Sequence, residues 1–589
     1  MKLYYYLILL AFIGCEKADS PSEKKQKPNV LFILTDDQAW GDLSINGNTN
    51  LNTPHIDQLA KNGAIFDRFY VSPVCSPTRA EILTGRYHSR SGVYATSAGG
   101  ERMDLDETTI AQVFKKAGYQ TAAYGKWHNG MQYPYHPNAR GFDDFYGFCS
   151  GHWGHYFSPM LEHNGKIVKG EGFVIDDFTN QAMNFMESHK DEPFFLYLPY
   201  NTPHSPMQVP DEYWDRFKNK ELKMHNRDAE KENPDHIKAA LAMVENIDWN
   251  VGRMVKKLQE LDLEENTIIV YLSDNGPNGV RWNGNMKGRK GSTDEGGVRS
   301  PTIIQWKGHI KAGIEISQIS AAIDFLPTLS ELAGIEYESK KKLDGISLKP
   351  LLLGTTESWE DRYIINHWRG KTSVRTQNYR LGHEDQLFDM LNDPGQRKDI
   401  KAEKEEIYTD LFEVREAWLR SVDTEVPEKD PRPFVVGHPD FTFNQLPARD
   451  AKVTGNITRS NRYPNCSFYS NWTSKEEKIY FPMEVLAEGE FEAILYYTCS
   501  EENVGAKIRL SFGDDKLDAQ ITEAHDPPLY GMEEDKDPRI ESYVKEFKPL
   551  TLGTIHLTKG NGELSLEALE IPGKEVLDFR LLMLNRLSP

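Results

Sequence analysis

The feature that most constrains this chain is a repeated pairing: a short, continuously apolar, β-rich run followed at once by polar residues able to do chemistry. NVLFILT (29–35) leads into Asp36 and Asp37. QTAAYG (120–125) leads into Lys126 and His128, PFFLYLPY (193–200) into His204, and NTIIVYLS (266–273) into Asp274 and Asn275. Runs of this kind suit strands buried on both faces. Helix-like segments separate them, notably 236–261 and TPHIDQLAKNGAIF, where Thr53 can cap, Pro54 suits the first position and Gly63 can end the helix. The alternation predicts an α/β sandwich with a mostly parallel central sheet. In such sheets ligands bind beyond the carboxyl ends of the strands. Two carboxylates, two histidines, a lysine and an Asp-Asn pair should therefore meet at one edge.

The catalytic α/β unit is expected over 28–355, with PTIIQW (301–306) as another strand. Near residue 360 the pattern changes to short strands with turns and a helix at 403–421, predicting a small antiparallel β/α subdomain over 356–424. The Pro- and Asp-rich stretch 425–444 reads as a linker. From 445 to 589 spaced short strands with Gly, Asp and Asn turns predict an all-β accessory module, a β-sandwich.

The first 27 residues read as a leader and tether: Lys2, then an apolar run from Leu3 to Ile13 that is too short to span a bilayer. Gly14-Cys15 at its end resembles a bacterial lipoprotein signal, with Cys15 as the lipidated residue, although Phe12 departs from the usual small aliphatic residue. The expectation is an exported protein, periplasmic or a lipoprotein of the outer membrane or cell surface. Cys75, Cys149, Cys466 and Cys499 are too few for a disulfide framework in so long an exported chain. One pairing, such as Cys466 with Cys499, stays open. A net charge of −20 argues against nucleic acid as a partner, not against an anionic small substrate met by a local basic pocket.

Asp36, Asp37, Asp274 and Asn275 offer only oxygen ligands, which suit a hard cation such as calcium or magnesium. Cys75, in VSPVCSPTRAEILTG (71–85), stands where a helix should start, with Arg79 close behind. A helix N-terminus and a guanidinium both favour a thiolate. Yet a bare thiolate suits a hard cation poorly.

Cys75-Ser76-Pro77-Thr78-Arg79 resembles the C-x-P-x-R signature of type I sulfatases, members of the alkaline phosphatase-like superfamily. LTDDQAWGDL, GKWHNG, NTPHSP, SDNG and GRKGSTDEGGVRSP resemble that family's successive motifs in order, over about 30–420. The resemblance implies that a maturation enzyme oxidises Cys75 to formylglycine, whose hydrated aldehyde is an oxygen nucleophile. It implies one calcium ion on Asp36, Asp37, Asp274, Asn275 and the modified Cys75. Arg79 would orient the hydrated aldehyde, and Lys126 and Lys290 would hold sulfate oxygens. His204 would protonate the leaving alcohol and His128 would help regenerate the aldehyde. Lys287 is a rival for the place of Lys290.

The reaction expected is hydrolysis of sulfate esters, and the alcohol is open. Segment 136–157 is rich in His, Trp and Tyr, which suits a sugar. His152 and His155 could bond hydroxyls, and Arg102 and Arg140 could meet further anionic groups. A sulfated algal polysaccharide of ulvan or carrageenan type is the leading expectation, ahead of host glycosaminoglycans. Two rivals remain: a formylglycine-dependent phosphodiesterase or phosphonate hydrolase, and a non-catalytic glycan-binding homologue.

Overall fold

The computed structural model describes residues 27–356, 358–422 and 432–587. The leader, with Cys15, lies outside the described residues. Eleven strands form the main sheet: β1 (Asn29–Thr35), β2 (Ala64–Tyr70), β3 (Gln120–Lys126), β4 (Asp144–Phe148), β5 (Met160–His163), β6 (Lys166–Lys169), β7 (Phe194–Pro199), β8 (Thr267–Ser273), β9 (Arg299–Gln305), β10 (Ile314–Ile316) and β11 (Ser320–Ala321). Their order is β10-β2-β9-β8-β1-β7-β3-β4-β5-β6, with β11 beside β2. β8, β1, β7, β3 and β4 run parallel, while β9 is antiparallel to both its neighbours.

β1 is buried along its whole length. Leu31 and Ile33 join the core on one face of the sheet, and Val30, Phe32 and Leu34 the core on the other. That two-sided burial is why its sequence shows a continuous apolar run rather than alternation. The helices Pro54–Asn62, Val174–Ser188 and Pro234–Glu260 bury apolar faces in the first core, and Cys75–Thr84 contributes Ala80, Ile82 and Leu83 to the second. Thr53 does not cap its helix. Its Oγ1 donates to Asp57 Oδ1 at 3.0 Å, and the open amides of His55 and Ile56 are met by Asp248 from the helix Pro234–Glu260.

Four antiparallel strands between Ile364 and Asp389, with the helix Glu405–Val422, form the small subdomain. It is tied to the main sheet through buried Glu295, which accepts from Tyr70 Oη at 2.8 Å and from Arg380 Nη2 at 3.0 Å. The C-terminal module is a sandwich of two six-stranded sheets around one apolar core. The alternating burial of Lys478–Val485 reflects one wet and one packed face. The sandwich begins earlier than the expected 445. Phe434–Val436 already pairs with Lys478–Val485, so the described part of the linker belongs to the module. Cys75, Cys149, Cys466 and Cys499 are all free, so Cys466 and Cys499 are not paired.

Candidate active site at the carboxyl edge of the sheet

β8, β1, β7 and β3 are neighbours and end at the same edge. The register sets Thr35 beside Ser273, so Asp36 and Asp274 leave the sheet side by side. Asp36 N donates to Thr202 O and Asp274 N to Thr35 O, each at 3.0 Å. Asp36, Asp37, Asp274 and Asn275 are wholly buried. Three cations stand among them. Lys126 Nζ donates to Asp36 Oδ2 at 2.6 Å, and Arg79 Nη2 to Asp274 Oδ2 at 2.8 Å. Lys290 Nζ lies 2.7 Å from Asp37 Oδ1. Lys287 points elsewhere, to Asp294 Oδ1 at 3.4 Å and the Phe388 ring. Gly276 and Gly297 let the Lys290 loop close, because a Cβ on Gly276 would sit 2.1 Å from Gly296 O and one on Gly297 2.1 Å from Ser292 O.

Cys75 opens its helix, and Gly85, with φ of 69°, closes it. Cys75 Sγ and one oxygen each of Asp36 and Asp274 lie within 4.8 Å of one another. Asp36, Asp37 and His204 make a second such group. Asp37 and His128 hold left-handed backbone, with φ of 66° and 64°. Neither is a glycine, so the fold must enforce the conformation. Buried Arg281 helps at Asp37: it pairs with Asp42 at 2.6 Å and donates Nη2 to Asp37 O at 2.8 Å.

The electrostatics are lopsided. Burial opposes ionisation of Asp36 and Asp37, yet Lys126 beside the first and Lys290 beside the second hold both below the usual carboxylate range. Asp274 goes the other way: burial and the charge of Asp36 push it well above that range despite Arg79. The three cations match the three carboxylates in number, yet Asp274 stays raised, so a further positive charge beside it would favour its ionised form. Two oxygens say where. Asp36 Oδ1 and Asn275 Oδ1 are buried and have no hydrogen-bond partner, and such oxygens can only accept. With Asp37 and Asp274 they form an all-oxygen set that fits a hard divalent cation.

The histidines have definable tautomers. Burial and Lys126 press His128 well below its ordinary value, so its ring is neutral. Its Nε2 lies 2.8 Å from Thr96 O, a pure acceptor, so Nε2 carries the proton. Nδ1 is left as a buried base without a partner. His204 Nδ1 is fixed by Ser205 O at 2.7 Å, which turns Nε2 to within 3.6 Å of Asp37 Oδ2.

His152 stacks on His204, with ring centroids 6.1 Å apart. His155 does not join this site. Its ring meets Phe157 and Tyr530 in a separate cavity. Arg102 and Arg140, expected to meet anionic groups, are engaged with the backbone instead. Arg102 donates to the carbonyls of Gly99, Pro433 and Arg432, and Arg140 to those of Asp104, Leu105 and Glu107. Nothing in isolated sequence separates such an arginine from one that reads a ligand.

Three contributors escape the sequence reading, and two come from the C-terminal module. Asn465 Nδ2 reaches His152 Nδ1 at 3.3 Å. Glu541 Oε1 accepts from Ser205 Oγ at 2.7 Å, beside His204, and its Oε2 is buried without a partner. Arg281 is the third. Asn465 belongs to an Asn-Cys-Ser run that no local pattern marks, and it is buried.

A sheet of this order, with buried carboxylates, cations and a helix-borne Cys75 at its carboxyl edge, defines a hydrolase of anionic esters on the alkaline phosphatase-like fold. The chain belongs to the sulfatase family, whose pattern matches residues 28–335, and it is a sulfuric ester hydrolase. The C-terminal pattern of N-sulphoglucosamine sulphohydrolase matches 290–418. The chain is 32% identical over 402 residues to N-acetylgalactosamine-6-sulfatase of Mus musculus, covering 62% of this chain and 72% of that relative. Steryl-sulfatase of Rattus norvegicus is 27% identical over 533 residues, covering 67% and 88%. Among solved structures, Ps i-CgsB in complex with k-i-k-neocarrahexaose aligns with a TM-score of 0.61 at 34% identity, over 67% of this chain and 93% of that one. A protein solved with its substrate D-glucosamine-2-N,6-O-disulfate aligns with a TM-score of 0.57 at 25% identity, over 69% and 100%.

Proposed function

We propose that the protein removes sulfate from a sulfated carbohydrate, with Cys75 matured to formylglycine and one calcium ion on Asp36, Asp37, Asp274 and Asn275. The observation that carries this reading is the pair of buried, unpartnered oxygens, Asp36 Oδ1 and Asn275 Oδ1, the first on a residue that clusters with Cys75 and Asp274. The bound cation would supply Lewis acidity and the hydrated aldehyde an oxygen nucleophile.

The remaining residues have roles that follow from their placement. Arg79, locked to Asp274 and to Lys126 O at 2.6 Å, orients the side chain at position 75 one helical turn away. Lys126 and Lys290 are charge-assisted donors for sulfuryl oxygens, and being held in place beforehand they need little reorganisation as charge builds. With Nδ1–H held by Ser205 O, the doubly protonated ring of His204 would be the acid, its Nε2–H facing the cluster and passing its proton to the leaving alcohol. His128 Nδ1, neutral and unpartnered, takes a proton when the nucleophile is regenerated.

A sugar is favoured by the relatives solved with carrageenan and glucosamine sulfates, and by the ring of His152 beside His204. Algal polysaccharides of carrageenan or ulvan type come first among candidates. The leader argues for export and a lipid tether through Cys15, where the enzyme would meet polymer outside the cell.

The test is a mass spectrum of the tryptic peptide Phe69–Arg79 from a host with the maturation enzyme, with sulfate release from a panel of sulfated oligosaccharides. A peptide lighter by exchange of thiol for aldehyde, with release from at least one sugar, is expected. An unmodified cysteine without release sinks the reading.

A further inference from the structure

Between segment 153–169 and the C-terminal sandwich lies a cavity of about 560 Å³. Trp153, His155 and Phe157 line it from one side, and Tyr496, Tyr530 and Arg580 from the other. Its rim residues Lys169, Pro528 and Glu546 are exposed, so it opens to solvent. No member of the carboxylate cluster lines it. It lies across the short turn 152–155 from His204, on which His152 stacks.

Arg580 is the anomaly in this cavity. It is only 5% exposed. Its Nη1 donates to Ser467 O at 2.8 Å, and its guanidinium lies 5.8 Å from the centre of the Trp153 ring. Among the described residues no carboxylate pairs with it. Its charged neighbour Arg449 is another cation, itself held by Glu101 and Asp450. Burial depresses the guanidinium accordingly. Lys545, also in the lining, is already neutralised by Asp526 at 3.0 Å and Asp578 at 2.9 Å. A buried cation without a counter-ion is costly, and charges in that position are normally paired. Arg580 is one of the residues that line the cavity.

The walls suit the rest of such a ligand. Tyr496 and Tyr530 contribute aromatic rings to the lining, Trp153 lies between Phe148 and Arg580, and His155 Nδ1 is a buried polar atom with no partner. The volume falls in the range of about 300–1,000 Å³ typical of ligand pockets. A lone guanidinium among aromatic rings selects an anionic substituent on a ring with an apolar face.

We infer that this cavity is a second binding site for the substrate chain. Arg580 pairs there with the anionic group of a sugar residue other than the one being desulfated, and the aromatic walls stack on that ring. The inference rests on the carbohydrate reading above. It gives the C-terminal module a task, since Tyr496, Tyr530 and Arg580 all belong to it.

The experiment uses the full mature chain with Arg580→Gln, Arg580→Lys and Tyr530→Ala. Each is assayed on an aryl sulfate and on sulfated hexasaccharides from carrageenan and chondroitin sulfate. Affinity for the same hexasaccharides, and for desulfated chondroitin hexasaccharide, is measured in the Cys75→Ala background, where turnover cannot interfere. Arg580→Gln should raise KM and Kd for the favoured hexasaccharide about tenfold, as loss of one charge-assisted contact predicts. It should leave kcat and aryl sulfate turnover unchanged, and Arg580→Lys should retain part of the affinity. Retained dependence on Arg580 with the desulfated sugar would name a uronate carboxylate as the partner, and its loss a sulfate ester. Unchanged affinity in Arg580→Gln overturns the inference, as does a parallel fall in aryl sulfate turnover. Binding of none of the hexasaccharides by the Cys75→Ala protein overturns it too. Aryl sulfate turnover by the unsubstituted enzyme then shows that the hydrolase reading itself still stands.

Discussion

Asn465 of the C-terminal sandwich sets the proton on His152 of the catalytic unit. Arg449 Nη1 donates to Asn465 Oδ1 at 3.0 Å, which turns Nδ2 toward His152 Nδ1. His152 Nδ1 must accept, so Nε2 bears the hydrogen, and it is buried without a partner. Burial and the nearby His204 keep the ring neutral. A neutral donor aimed beside His204 suits a sugar hydroxyl. Asn465→Ala is expected to raise KM for the sulfated oligosaccharide about fivefold, near the worth of one hydrogen bond. Turnover of an aryl sulfate, which has no such hydroxyl, should stay at the parent level. Equal loss on both substrates would assign Asn465 a purely structural role.

Lys290 and Lys287 stand three residues apart on one loop, and only Lys290 reaches Asp37. Lys290→Ala should lower kcat/KM on an aryl sulfate roughly 10²-fold or more, the usual cost of losing a preorganised donor to a reacting oxyanion. Lys287→Ala should stay within about twofold, as for a partly exposed ion pair. The reverse ranking would move the sulfate-handling role to Lys287.

The parallel sheet, and the gathering of most candidate residues at its carboxyl edge, were legible because both are written locally. A strand buried on two faces shows as an apolar run, and the residue after it must stand at the carboxyl edge. Asp36, Lys126 and Asp274 could be placed by that rule alone. Arg281, Asn465 and Glu541 could not, because each acts across more than 200 positions of chain and belongs to no local pattern. Arg102 and Arg140 misled for a related reason, since a guanidinium satisfied by backbone carbonyls has the sequence signature of one awaiting a ligand. The sandwich boundary slipped because Phe434–Val436 is a three-residue strand whose partner lies more than 40 residues on.

Removing the proposed cation should cost stability as well as activity. Without a cation, Asp36 and Asp274 share a buried space that burial already makes hostile to both charges. Calcium added to chelator-treated protein should raise Tm with concentration, following the linkage in which saturation to about 100 Kd contributes about 2.7 kcal/mol. Asn275→Ala removes one of the two unpartnered oxygens and should shift that titration to higher calcium. A Tm independent of calcium, in protein shown by elemental analysis to be metal-free at the start, would speak against a cation at this site.

The last prediction concerns the helix that carries Cys75 and Arg79. Glu81 is buried on it and accepts from Ser72 Oγ at 2.9 Å and His88 N at 3.2 Å. Burial outweighs those two bonds and pushes its carboxyl up to about 8. In the unfolded chain the same group titrates near 4.5. Between these values the folded protein keeps a proton that the unfolded chain releases, so stability falls as pH rises through that window. Below about 4.5 both states are protonated and above about 8 both are ionised, so the contribution is flat outside it. Glu81→Gln keeps an oxygen for both donors and cannot ionise. Its Tm should therefore fall less than that of the parent between pH 5 and pH 8 in thermal melts at fixed calcium, a window set by the same two values. Parallel curves would mean that the carboxyl ionises at its ordinary value. In that case its charge, rather than its shape, would be what braces the first turns of the helix beneath Cys75.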